Sequence, residues 1–235
     1  MARGRATAAG QRWWLRFIVK PLVAVIALSI VWVALYRFVP VPLTVPMIRD
    51  WTGGKTLKRD WVPLDEIDPD LPRAVIAGED AKFCTHYGFD VEAIAGALEA
   101  NTEGRKLRGG STVSQQTAKN AFLWPQRSWL RKGLEAYFTT LIEIGWGKRR
   151  IMEVYLNIAE FGIGVYGAEA AAQHYFDKSA KDLTRNEAAR LVAVLPSPIK
   201  RDARSPRGYT KRYGRRIERW IRVVDNDGMD ACLGL

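Results

Sequence analysis

Apolar residues recur at intervals of three and four along most of this chain, the spacing that gives one face of an α-helix. "PRAVIAGEDAKF" (72–83) and "DVEAIAGALEA" (90–100) both follow it, the second opening on Asp90 as a cap. "SWLRKGLEAYFTTLIEIGWG" (128–147) predicts a long amphipathic helix from Ser128 to a stop near Gly145–Gly147. "KRRIMEVYLNIAEF" and "GAEAAAQHYF" continue the pattern, and "TRNEAARLVAVL" carries a Thr184/Glu187 capping box and a stop at Pro196. Strand signals are sparse. The expectation is a mainly α domain with irregular loops at 101–111 and 196–208. "RGYTKRYGRRIERWIRVV" sets Tyr209, Tyr213, Ile217, Trp220, Ile221 and Val224 on one helical face, with arginines and lysines opposite.

The N-terminus breaks this amphipathic habit. "PLVAVIALSIVWVALY" (21–36) is sixteen uncharged, mostly apolar residues, short for a bilayer span of about 20. Trp13, Trp14 and Phe17 precede it, and Lys20 and Arg37 can snorkel to the interfaces. No small-residue cleavage site follows, which argues for a retained signal anchor over a cleaved leader. Five basic residues and no acid lie in residues 1–20, so that end stays cytoplasmic and the rest faces outward. The expected organisation is a basic tail (1–20), a transmembrane anchor (21–39), an extended linker with "VPVPLTVP" as a stiff spacer (40–60), a folded domain (61–225) and a C-terminal tail (226–235).

The net charge of +11 asks for an anionic partner. An outward location excludes nucleic acid and ATP and leaves a phospholipid surface or a phosphorylated substrate. Cys84 and Cys232 are too few for a disulfide framework, and whether they pair stays open. "GIGVYG" (162–167) fits a dinucleotide fingerprint but has no preceding strand and reads as a glycine loop between helices. "SPIK" (197–200) lacks the partner elements of a transpeptidase. His86 and His174 are not spaced as a metal site.

Four polar clusters remain. Glu79 and Asp80 follow an apolar lead-in, with Phe83 and His86 one and two turns onward; desolvation would raise the Glu79 pKa and make it a better base. Gly109, Gly110, Ser111 and Thr112 open a helix carrying Gln115, Gln116 and Lys119, an array suited to a sugar phosphate. Arg131, Lys132 and Glu135 share a helix face. Glu153, Tyr155 and Asn157 read as structural support.

In this order, "EDAKFCTHYG", "GGSTVSQQ", "RKGLE", "IMEVYLN" and "LVAVLPSP" resemble the five motifs of family 51 glycosyltransferases, the peptidoglycan polymerases, over residues 61–205. "YLNIAEFGIGVYGAEAAA" resembles their monofunctional branch. Val113, Ser114, Met152 and Asp177 are small departures from the usual residues. The resemblance implies a lysozyme-like helical fold on one transmembrane helix in the bacterial inner membrane, with the catalytic domain periplasmic. It implies lipid II and the lipid-linked glycan chain as substrates, with Glu79 and Glu135 catalytic. Asp80, Phe83, His86, Gly110, Ser111, Thr112, Gln115, Gln116, Lys119, Arg131 and Lys132 would be the substrate-binding set. No cofactor is required by it; a divalent metal is an adjunct in relatives. Cell-division or cell-wall synthesis proteins are its candidate partners. The alternatives are a lytic transglycosylase or lysozyme-like hydrolase, and a non-enzymatic membrane-anchored scaffold.

Overall fold

A computed structural model describes residues 13–102 and 110–235. The chain divides between Val39 and Pro40 into two compact units. The first is one helix, α1 (Leu15–Phe38), with a mean hydropathy of 2.5 and the length to cross a membrane. Its 24 residues reach on the order of 36 Å. The helix therefore starts upstream of the apolar run, recruiting Leu15, Phe17, Ile18 and Val19, and the apparent shortness of the span disappears.

The second unit is mainly helical. After α2 (Val45–Thr52) and the short strand β1 (Lys58–Arg59) come α3 (Asp70–Glu79), α4 (Val91–Thr102), α5 (Val113–Phe122), α6 (Trp129–Gly145) and α7 (Lys148–Ile158). Strands β2 (Glu160–Gly162) and β3 (Val165–Tyr166) precede α8 (Ala168–Phe176), α9 (Arg185–Val194) and α10 (Gly208–Asn226). Helices α3, α9 and α10 pack together, and α5 packs on α6 and α7. Leu71, Val75 and Ile76 of α3 are buried with Leu191, Val192 and Val194 of α9 and Ile217, Ile221 and Val224 of α10. On α10, Tyr209 and Trp220 lie outside that buried stripe and are exposed. The Thr184/Glu187 capping box opens α9 as its sequence predicts.

Three expectations are corrected. Residues 40–60 are not an extended linker. Thr44 caps α2 by accepting from the Met47 amide, and Pro46 sits in the first turn, where proline's fixed φ suits a helix start. Met47 is fully buried, and Asp50, 2% exposed, accepts from Arg49, Lys55 and the Tyr166 hydroxyl. The "GIGVYG" segment is not merely a loop between helices: β2 and β3 pair antiparallel, and β1 adds in parallel to complete a sheet of order β1-β3-β2. Residues 226–235 are not a free tail. Asp230 accepts from Arg73 at 2.7 Å, Leu233 is buried, and Cys232 is disulfide-bonded to Cys84. The predicted loop over 101–111 falls largely outside the described residues, and 196–207 is irregular, with turns and bends, up to the start of α10 at Gly208.

The disulfide joins positions 148 apart in sequence, so it removes much chain entropy from the unfolded state. Reduction, or Cys232→Ala, is expected to lower unfolding stability by about 2–5 kcal/mol. Denaturant titration with and without reductant measures this; coincident curves would contradict it.

Candidate active site

Glu79 is the last residue of α3, not a mid-helix position. Asp80 leaves helical geometry (φ −158°, ψ 76°), and residues 81–88 form consecutive turns. The helix breaks because the Asp80 carboxylate is captured elsewhere. Its Oδ2 accepts from the Val113 amide at 2.9 Å, at the first turn of α5, and both oxygens lie within 3.0 Å of His86 Nε2. The turn closes at Gly88, whose φ of +84° and contact with Thr139 leave no room for a side chain. At Gly78 a Cβ would stand 2.9 Å from Val192 Cγ1, so glycine lets α3 approach α9 next to Glu79.

The Glu79 carboxylate lies half-buried and accepts from Gln116 Nε2 at 3.0 Å. Gln116 Oε1 in turn accepts from the buried Tyr155 hydroxyl at 3.4 Å. Burial raises the Glu79 pKa; the Gln116 bond opposes this, the Asp80 charge adds to it, and Arg201 and Lys119 favour the carboxylate. Desolvation is thus the chief cause that pushes the Glu79 carboxyl above its ordinary range.

One turn beyond Gln116 on α5 stands Lys119. Burial lowers its pKa, Glu135 opposes that, and Arg131, Lys132 and Arg127 reinforce it. Glu135, on α6, is 3% exposed and takes Arg131 Nη1 on one oxygen and Lys132 Nζ on the other, each at 2.5 Å. Arg131 Nε is buried with no hydrogen-bond partner among the described residues. Two cations thus clasp one carboxylate, a third, Lys119, lies within its electrostatic reach, and a buried donor is unused. Such a cluster attracts a multiply charged anion.

Not every predicted site residue joins these groups. Gln115 is spent on a capping box with Thr112: its side chain accepts from the Thr112 amide while Thr112 Oγ1 accepts from the Gln115 amide. Thr112 also donates to the Gly88 carbonyl at 2.7 Å. Both are buried, and their role is to fix the start of α5. Phe83 is fully buried beneath Lys148 Nζ, which sits 4.7 Å from its ring centre. Asp80 and His86 bond each other and hold the loop. Ser111 is exposed and Gly110 half-buried ahead of the cap; Gly109 lies outside the described residues. Glu153 and Asn157 are structural as expected, binding the Leu64 amide and the Val62 amide and carbonyl.

Sequence reasoning missed Glu143 and Lys148. They pair at 2.7 Å with little exposure; Glu143 accepts from Ser114 Oγ, and Lys148 Nζ lies 3.5 Å from His86 Nδ1. It also missed Tyr213, whose hydroxyl donates to the Gly78 carbonyl at 2.7 Å beside Glu79. These residues fall outside the four polar clusters, and only the fold brings them under the loop. Among the described residues no three His, Cys, Asp or Glu side chains cluster as a metal site.

Residues 47–224 match the family model described as Transglycosylase. The chain belongs to the transglycosylase family. It is 54% identical over 208 residues to a protein of Caulobacter vibrioides named biosynthetic peptidoglycan transglycosylase, covering 88% of this chain and 91% of that one. A Jannaschia protein of the same name is 47% identical over 232 residues, covering 99% and 94%. One from Pseudomonas putida is 52% identical over 215 residues, covering 88% and 89%. The mainly α, lysozyme-like fold class expected from the sequence agrees with membership of the transglycosylase family. The match begins at residue 47, inside the segment first read as linker.

A raised folded-state pKa makes Glu79 costly in one pH range. Its full contribution to stability is present below the ordinary carboxylate range and is lost as pH rises through the folded value. Glu79→Gln is therefore expected to match wild type in thermal stability below pH ~4 and to exceed it near neutrality. A variant less stable than wild type at neutral pH would contradict the buried-base geometry.

Proposed function

We propose that this transglycosylase polymerises glycan strands from lipid II by inverting transfer, with the growing lipid-linked chain as donor. Glu79 takes the proton from the acceptor's 4-hydroxyl, and that oxygen attacks the donor's anomeric carbon. The bond from this carbon to the pyrophosphate breaks, its electron pair leaves on undecaprenyl pyrophosphate, and the α-linkage becomes β-1,4. The proton passes from Glu79 to solvent before the next cycle.

The observation that carries this reading is the layout of α5. Gln116 holds the base, and Lys119, one turn later, stands within electrostatic reach of Glu135, which Arg131 and Lys132 clasp. A pyrophosphate leaves as a stable anion and needs positive charge more than a proton donor. A glycoside hydrolase instead needs a strong general acid at the leaving oxygen, a task for which three cations are no help. Arg131 Nε, buried and unpartnered, is a donor suited to a phosphate oxygen. Glu135 keeps the two α6 cations in place.

The proposal places the catalytic unit on the outer face of the inner membrane. The basic residues preceding α1 favour a cytoplasmic N-terminus, and the Cys84–Cys232 bond suits an oxidising compartment. The substrates' lipid tails keep their reactive ends at that surface.

Purified enzyme given lipid II alone is expected to make lysozyme-sensitive polymer. Glu79→Gln is expected to lower the rate by roughly 10²–10⁴-fold. Wild-type turnover in that variant, or release of sugars from finished glycan in place of polymer, would sink the reading. The pH profile of kcat/KM carries a second check. Its acid limb is expected above the ordinary carboxylate value because burial raises Glu79, and its alkaline limb below the ordinary lysine value because burial lowers Lys119. Limbs at the ordinary values would contradict both assignments.

A further inference from the structure

Arg201 lies within electrostatic reach of Glu79 and also lines a separate cavity of about 680 Å³. Lys58 of β1, His174 of α8, Arg204, Asp177 and Asp202 share its wall. The sequence motifs assign none of these residues a role.

Their existing partners show what the cavity lacks. Arg204 is committed: it donates to the Tyr175 carbonyl at 3.0 Å and the His174 carbonyl at 2.8 Å, and lies 3.4 Å from Asp177. Asp202 accepts from the Arg204 and Ser205 amides. Arg201 donates to the Ala193 carbonyl at 2.7 Å, and Lys58 Nζ lies 3.2 Å from His174 Nδ1. Among the described residues neither Lys58 nor Arg201 meets a carboxylate. Burial and the charges of Lys58 and Arg204 lower the His174 pKa, and with Nδ1 facing the ammonium the neutral ring carries its proton on Nε2. Three cations against two carboxylates leave the wall with one net positive charge.

That charge balance matches a single carboxylate better than a pyrophosphate, which the three cations around Glu135 already suit. We propose that this cavity is a carboxylate subsite, in which Lys58, Arg201 and the His174 Nε2–H hold an acidic group of the peptide carried by the substrate's muramoyl sugar. Its volume takes a short peptide segment rather than a lone ion. The inference rests on the polymerase reading above and extends it to the part of the substrate that does not react. Binding energy gathered there orients the sugar over Glu79.

The test uses full-length enzyme with two substrates: lipid II with free peptide carboxylates, and lipid II with the same carboxylates amidated. For wild type, amidation is expected to raise KM roughly threefold to fivefold, the scale of a partly exposed ion pair. Lys58→Gln is expected to raise KM for the acidic substrate by a similar factor at unchanged kcat, and to leave the amidated substrate unaffected. Lys58→Glu should enlarge the first effect, and high salt should erase it. Arg201→Gln should reproduce the KM pattern while also altering kcat through its field on Glu79. An equal rise in KM on both substrates would place the pyrophosphate, not the peptide, against Lys58 and overturn the assignment. No change on either substrate would overturn it as well. Failure of wild type to polymerise either substrate would strike the polymerase reading itself.

Discussion

The buried carboxylate of Asp80 is the constraint on which the site depends. It ends α3 by bonding His86 and the Val113 amide, and so ties the residue after the base to the first turn of α5. The bond is charge-assisted and sits at the positive end of a helix dipole, contributing about 1.5–3 kcal/mol. Gln116 then meets Glu79, and Lys119 is carried one turn farther along the same rigid helix. The two tasks proposed for this site, proton acceptance and anion capture, are thus set at a fixed spacing by one interaction between two helix ends.

The loop between those ends is held from several sides. Glu143 and Lys148 form a nearly dry ion pair beneath it, joined to Ser114 on α5 and to His86 and Phe83 in the loop. Removing one partner of such a pair strands a buried charge, so the network acts as a unit. The disulfide fastens Cys84, in the same loop, to the C-terminal turn, and Arg73 holds that turn through Asp225 and Asp230. Glu79 therefore rests on chain segments from both ends of the catalytic unit.

Much of this was legible in sequence because helical spacing and caps are local signals. The α6 helix, the α9 capping box and the structural character of Glu153 and Asn157 were read from neighbouring residues alone, whereas the partners of those two side chains lie 89 and 95 positions away. Locality also explains the errors. "VPVPLTVP" reads as a spacer until Pro46 is seen in the first turn of α2, and that helix is stabilised by a hydroxyl 116 positions away, Tyr166 on Asp50. Gln115 and Thr112 look like ligands for a sugar phosphate because a capping box uses the same side chains. The pairing of Cys84 with Cys232 depends on how α10 returns to α3, which spacing does not encode.

The central claim is that successive turns of α5 set the spacing of base and leaving-group site, Gln116 holding Glu79 and Lys119 standing one turn farther on. A crystal structure of the enzyme with a non-reactive lipid-pyrophosphate disaccharide tests it most directly. The account predicts pyrophosphate oxygens on Lys119, Arg131 and Lys132, including Arg131 Nε, with a sugar hydroxyl against Glu79. Pyrophosphate bound away from those three cations, or Glu79 facing no sugar hydroxyl, would contradict it.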